Sequence, residues 1–150
     1  MRFWDTSALV PLLLEQEATA EVMELLSRDP EITAWWGTSI ECVSAATRLR
    51  REERLTVDEE EQVLELLATL RNSWLEILPS EEVRSSAVRL LRVHGLKAAD
   101  ALQLAAARVW AGPTDRAELV TYDERLALAA RLEGFRVLPG SSHSTNPPIP

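Results

Sequence analysis

Four carboxylates stand where secondary-structure elements begin or end. Asp5 follows a short apolar run in FWDTSAL, Glu41 lies in TSIECVSAATRLRR, Asp100 in KAADALQLAAA and Asp123 in LVTYDERLALAA. An acid at the end of a strand that turns at once into a helix sits at the carboxyl edge of a sheet, where open α/β folds build their sites. Each also has a plainer explanation, because an acid in a helix's first turn is favoured by the dipole, and Thr38 with Glu41 fits the S/T-x-x-E capping box. Read together they call for more. Asp100 is the one acid in a small, apolar helix start expected to be buried against the sheet, and an unpaired buried carboxylate is costly. No Lys or Arg lies within one residue of any of the four. Carboxylates brought together repel unless a positive group stands among them, so a shared cation is the economical solution.

The donor types narrow the ion. An all-oxygen set suits a hard cation such as Mg²⁺ or Mn²⁺ over Zn²⁺. Of the two histidines, His94 falls at a helix end, where it serves as a cap or dipole partner, and His143 lies in the polar tail. Cys42 neighbours Glu41 on a different helix face and reads as packing, and Ser7 reads as a helix cap and not a nucleophile.

These side chains need a scaffold of alternating strands and helices. Strands are expected over residues 2–5, Ile32–Trp35, around Ile77 and Leu78, over Glu118–Tyr122 and over Phe135–Leu138. Helices are expected over Ser7–Glu15, tolerating Pro11 only in the first turn, over Ala18–Arg28 with Leu25 and Leu26 buried, and from Thr38 to about Arg54. Thr56 and Glu59 form a second capping box ahead of a helix whose stripe is Val63, Leu66, Leu67 and Leu70, and whose acidic first turn is a solvated face. Ser80 caps a helix ending near Val93, with Gly95 as its left-handed stop. Helices follow over Ala98–Ala111, broken by Gly112, Pro113 and Thr114, and over Asp123–Leu132, stopped by Gly134. This alternation calls for an α/β fold: a central, mostly parallel sheet of about five strands in a three-layer sandwich, flanked by helices. One domain over residues 1–138 and a disordered tail over 139–150 complete the expectation.

The formal net charge of −8, from 24 acids and 16 bases, counts against a protein that coats nucleic acid through a basic surface. It leaves room for an enzyme that meets phosphates through cations and a few arginines. One cysteine excludes an internal disulfide, and the absence of a leader-like or membrane-length apolar run points to the cytoplasm.

Taken in order, FWDTSAL, Glu41 in its helix, KAADALQLAAA and LVTYDERLALAA resemble the PIN domain, and the overall length and closing strand resemble the VapC-type toxins of toxin–antitoxin pairs. The resemblance covers residues 1–138. It implies a PIN-like sandwich and a metal-dependent endoribonuclease in which Asp5, Glu41, Asp100 and Asp123 bind one or two Mg²⁺ or Mn²⁺ ions. A metal-bound water would attack the phosphate in line, leaving a 3′-hydroxyl and a 5′-phosphate. Thr6 and Thr121 would orient carboxylates or water, a role the sequence does not separate from capping and strand propensity. Arg48, seven residues after Glu41 on nearly the same face, would meet a phosphate beside the cleavage site or belong to a solvated basic face with Arg50, Arg51 and Arg54, paired to Glu52 and Glu53. Trp35 and Trp36 point to opposite faces of a strand and serve as packing or as base-stacking surfaces. The implied partners are RNA, a cognate antitoxin covering the acidic pocket and a second copy of the chain, with no membrane. Two rivals stand beside this reading: a non-catalytic PIN-like binding module, and a phosphatase of the haloacid-dehalogenase type. The latter needs an acid two residues after Asp5, where Ser7 stands.

Overall fold

A computed structural model describes residues 1–113 and 116–140. Five strands, β1 (Arg2–Trp4), β2 (Ile32–Trp35), β3 (Leu75–Ile77), β4 (Glu118–Val120) and β5 (Arg136–Leu138), form one sheet in the order β3-β2-β1-β4-β5, and every pairing is parallel. Among the described residues seven helices connect them: α1 (Thr6–Leu13), α2 (Thr19–Arg28), α3 (Thr38–Arg51), α4 (Val57–Arg71), α5 (Glu81–Val93), α6 (Ala98–Ala111) and α7 (Glu124–Leu132).

The two-residue period of each strand sorts the helices into layers. Trp4, Ile32, Ala34 and Val120 face one core with Leu9 of α1, Val22 of α2, Ala46 of α3 and Val63 and Leu67 of α4. Phe3, Trp35, Leu119 and Val137 face the other, with Val83 and Leu90 of α5, Leu104 of α6 and Leu126 of α7. The three layers and the α/β class are those expected, and the sheet is wholly parallel. Because β1 is central, its chain continues toward β2 through helices on one face, while its other neighbour β4 continues into α7 on the opposite face. The carboxyl ends of β1 and β4 therefore flank the switch point of the sheet, where a crevice must open.

Local details depart from expectation for identifiable reasons. Asp5, not Ser7, caps α1: its side chain accepts the Ala8 N–H. Pro11 sits in the second turn, buried, with α1 ending two residues later at Leu13. Val22, not Leu25 or Leu26, is the fully buried residue of α2, and those two leucines pack at the core's edge. In α4 the capping box is formed and Val63 and Leu67 are buried, but Leu66 is exposed. Helix α3 stops at Arg51, and Glu53 takes a left-handed φ of 58° in the turn that follows. Gly95 is not left-handed, since α5 ends in an extended His94, whereas Gly112 and Gly134 do take positive φ. Thr114 and the expected disordered tail beyond Gly140 lie outside the described residues.

Away from the crevice, Glu133 binds α5, α6 and α7 together. It pairs with Arg89 and Arg108 and receives His94 Nε2 at 2.7 Å, while its side chain is only 9% exposed. His94 is the C-cap residue of α5, as its position suggested, but its ring pairs with Glu133 and not with the end of its own helix.

Candidate active site

Asp5 is 4% exposed, and three hydroxyl and amide groups converge on it. Ser7 Oγ donates to Oδ1 at 2.7 Å, the Ala8 amide donates to the same oxygen at 3.2 Å, and Thr121 Oγ1 donates to Oδ2 at 2.9 Å. Ser7 in turn accepts the Tyr122 amide at 2.8 Å, and Thr121 accepts the Asp123 amide at 3.0 Å. The ends of β1 and β4 are thereby tied through hydroxyls. Burial pushes the Asp5 carboxyl up to about 6 even though these hydrogen bonds favour its ionised form.

The other three acids come from different elements. Asp123 caps α7 by accepting the Leu126 amide at 2.8 Å. Glu41 reaches from α3 to Thr6, whose Oγ1 donates to Oε2 at 2.8 Å, while Gln103 Nε2 donates to Oε1 at 3.2 Å. The expected capping box at Thr38 and Glu41 is not formed. Gly37 takes the cap position, where a Cβ would stand 2.6 Å from the Trp35 indole nitrogen, so no capping side chain fits. Thr38 turns inward instead and accepts from Gln103 at 3.0 Å. Asp100 is not buried against the sheet: Ala98 and Ala99 beside it are exposed, and Asp100 itself is half-buried at the cleft wall.

Asp5, Glu41, Asp100 and Asp123 all line one cleft of about 570 Å³, together with Thr6, Ser7, Val10, Gln16, Ser44, Ala45, Arg48, Gln103 and Tyr122. Burial raises the Glu41 carboxyl, and Asp100 raises it further against the opposing Thr6 and Gln103 hydrogen bonds. Burial also raises Asp100, and the charge of Asp123 adds to the effect, with Lys97 and Arg125 opposing. The acids therefore feel one another across the cleft. Among the described residues none of the four forms an ion pair, and no three His, Cys, Asp or Glu side chains converge into a closed ligand cage. The donor set nonetheless fits Mg²⁺. That ion keeps several of its waters and takes only one or two carboxylates directly, so acids spread round a wet cleft can hold it.

Arg48 is exposed at the cleft wall without an ion pair among the described residues, while Arg50 pairs with Glu60 and Arg54 lies 3.9 Å from Glu52. Cys42 is buried with its thiol pushed up to about 12 by burial and by Glu41 and Asp5, which makes it inert packing. Trp35 is in the core and Trp36 is 42% exposed; neither lines the cleft. The residues that sequence reasoning missed are Gln103, Thr38 and Tyr122. Gln103 offered a signal, as the lone polar side chain on the buried side of an alanine-rich helix, three positions after Asp100.

Comparison with known proteins bears on the family and the fold. A family model described as the PIN domain matches residues 2–132. No curated protein matches the sequence. Among solved structures, the chain is similar to one in a toxin–antitoxin complex from Klebsiella pneumoniae (18% identity, TM-score 0.64, covering 91% of this chain and 96% of that one). It is similar also to a chain of FitAcB from Neisseria gonorrhoeae (18% identity, TM-score 0.66, 91% and 96% covered). A third is the sarcin–ricin loop cleaving toxin VapC20 of Mycobacterium tuberculosis (15% identity, TM-score 0.65, 86% and 95% covered).

Proposed function

The chain belongs to the PIN-domain family, and from that premise we propose that it is a divalent-cation-dependent endoribonuclease, acting as the toxin of a type II toxin–antitoxin pair. The observation that carries the reading is the meeting of Asp5, Glu41, Asp100 and Asp123 in one cleft at the sheet's switch point, with none of them in an ion pair among the described residues. Asp5, Glu41, Asp100 and Asp123 would hold Mg²⁺ or Mn²⁺, which when bound supplies a Lewis acid for phosphate and a lowered pKa for water. The chain's own residues do the positioning. Ser7 and Thr121 fix both oxygens of Asp5, Thr6 and Gln103 fix both oxygens of Glu41, and capping α7 fixes Asp123. Arg48 meets a phosphate next to the scissile one, a local positive charge in a chain of net charge −8. Water attacks phosphorus in line, the bond to O3′ breaks, and the products carry a 3′-hydroxyl and a 5′-phosphate.

Likeness in fold to a chain solved in a toxin–antitoxin complex supports a cognate antitoxin as partner; in this proposal the antitoxin covers the acidic cleft with a basic side chain, and the assembled form is a homodimer. No helix among the described residues is long and apolar enough to cross a membrane, and the proposed setting is the cytoplasm. A phosphatase of the haloacid-dehalogenase type is disfavoured because Ser7 is spent on Asp5 and the Tyr122 amide and offers no general acid. Cleavage of RNA with Mg²⁺ or Mn²⁺ tests the proposal. Asp100→Asn is expected to lower the rate at least about a hundredfold, given the scale of electrostatic contributions at such sites. Retained activity in Asp100→Asn would sink the assignment, and metal binding by calorimetry without any RNA cleavage would favour the binding-module reading.

A further inference from the structure

We propose that Gln103 is a positioning residue of this cleft, which sets the direction of the Thr6 hydroxyl and thereby aims the Glu41 carboxylate at the cation. The inference rests on the cation-site reading above and concerns how the site is held. Gln103 is 2% exposed on α6, yet its amide nitrogen stands 3.0 Å from Thr6 Oγ1, 3.0 Å from Thr38 Oγ1 and 3.2 Å from Glu41 Oε1. Two N–H groups thus serve three acceptors drawn from α1 and α3.

The chemistry fixes which way the amide points. Were it reversed, its oxygen would face a carboxylate oxygen, two acceptors without a proton between them. With the nitrogen toward Glu41, the amide can only donate to Thr6, whose single proton is then left for Glu41 Oε2 at 2.8 Å. Thr38, 3.3 Å from the amide oxygen, can donate there and hold the amide plane from behind. Both Glu41 oxygens are restrained, each by a donor that leaves further lone pairs facing the cleft. A side chain with three free torsions is so reduced to one orientation. Groups standing behind metal-binding carboxylates typically change metal affinity 10- to 100-fold when removed.

The test uses the full chain. In EDTA, the side-chain amide of Gln103 is followed by NMR: it is expected to exchange slowly with solvent, to shift in Thr6→Val and to return in Thr6→Ser, which restores the hydroxyl. An amide that exchanges like a surface glutamine, or ignores Thr6→Val, overturns the proposal. Mn²⁺ alone is then titrated by calorimetry. Gln103→Met, which keeps the shape and removes the donors, is expected to bind Mn²⁺ about 10- to 100-fold more weakly at a temperature where the variant is fully folded. Equal affinity, or a lowered melting temperature with equal affinity, would show packing alone and also overturn it. If Gln103→Met does not fold, the Thr6→Val and Thr6→Ser pair carries the same affinity comparison. A wild type that binds no Mn²⁺ refutes the cation reading, while the amide measurements still decide whether Gln103 holds Thr6 and Glu41.

Discussion

Asp5→Asn is expected to stabilise the metal-free protein at neutral pH, and the gain should vanish in acid. Burial raises the Asp5 carboxyl from its ordinary 3.8 to about 6 in the folded chain. The folded state then binds the proton more tightly than the unfolded one, so stability falls as pH rises between these values. Below 3.8 both states are protonated and the acid costs nothing; above about 6 both are ionised and the full cost stands. A rise of that size corresponds to ~3 kcal/mol. The amide has no such cost, and the site can accept it. Its oxygen takes the Ser7 and Ala8 donors as before, while its NH₂ replaces Oδ2 opposite Thr121. Thr121 Oγ1 accepts from it and turns its own proton to Ser7 Oγ, 3.2 Å away. Urea denaturation in EDTA measures the difference. With a slope of ~2 kcal/mol/M, the Asp5→Asn midpoint should exceed wild type by ~1.5 M at pH 7.5 and by little at pH 4. Added Mg²⁺ should close the gap at pH 7.5, because only the wild-type site gains by binding it. A difference that stays constant from pH 4 to 7.5 would refute the claim that Asp5 is held as a destabilising buried acid.

Two further outcomes follow from the charged groups elsewhere. Glu133→Gln should lower stability by about 2 kcal/mol at pH 7, below the cost of breaking a fully buried pair because Arg89 and Arg108 reach solvent. Burial opposes ionisation of Glu133, but His94, Arg89 and Arg108 together hold its carboxyl below the ordinary 4.5. Its contribution is therefore complete above 4.5 and lost as pH falls through the folded value, so the variant and wild type should converge in acid denaturation series. Arg48→Ala should raise KM for RNA severalfold and reduce the salt dependence of RNA binding by about one phosphate contact, with Mn²⁺ affinity unchanged. An unchanged salt slope would return Arg48 to the solvated basic face.

How much of this was legible in the chain depended on the range of the interaction. Strand β2 and helices α5 and α6 follow from local signals: β-branched and aromatic residues bounded by Pro30 and Gly37, a Ser80 cap that does accept its amide, and an alanine-rich run closed by Gly112. The Thr56 capping box formed because its partners are close neighbours in an exposed turn. The same pattern at Thr38 failed because Trp35, a core side chain, lies over Gly37 and forces the cap position to have no side chain. Tertiary packing overrode a correct local rule. Asp100 is less buried than its neighbours' composition implies for a related reason. A small, apolar helix start reads as buried, but the first residues of α6 are exposed and its fully buried stretch begins at Ala101.

That failed capping box bears on the function itself. Asp5 and Asp123 each cap a helix, so acids would be favoured at both positions even in a chain without catalysis. Asp100, in the first turn of α6, gains from the dipole. Those three positions alone do not distinguish a nuclease from a well-capped α/β domain. Glu41 was the acid with the readiest structural explanation, and the structure removes it: its carboxylate caps nothing and is held on both oxygens by Thr6 and Gln103. A carboxyl that burial and Asp100 both push upward is a liability to the fold where it stands. Two uncharged donors from different helices are spent on it, with no basic side chain paired to it among the described residues, and they hold the carboxylate in place without cancelling its charge. That arrangement is the one the proposed cation site would require, a negative charge kept available for an ion arriving from solvent.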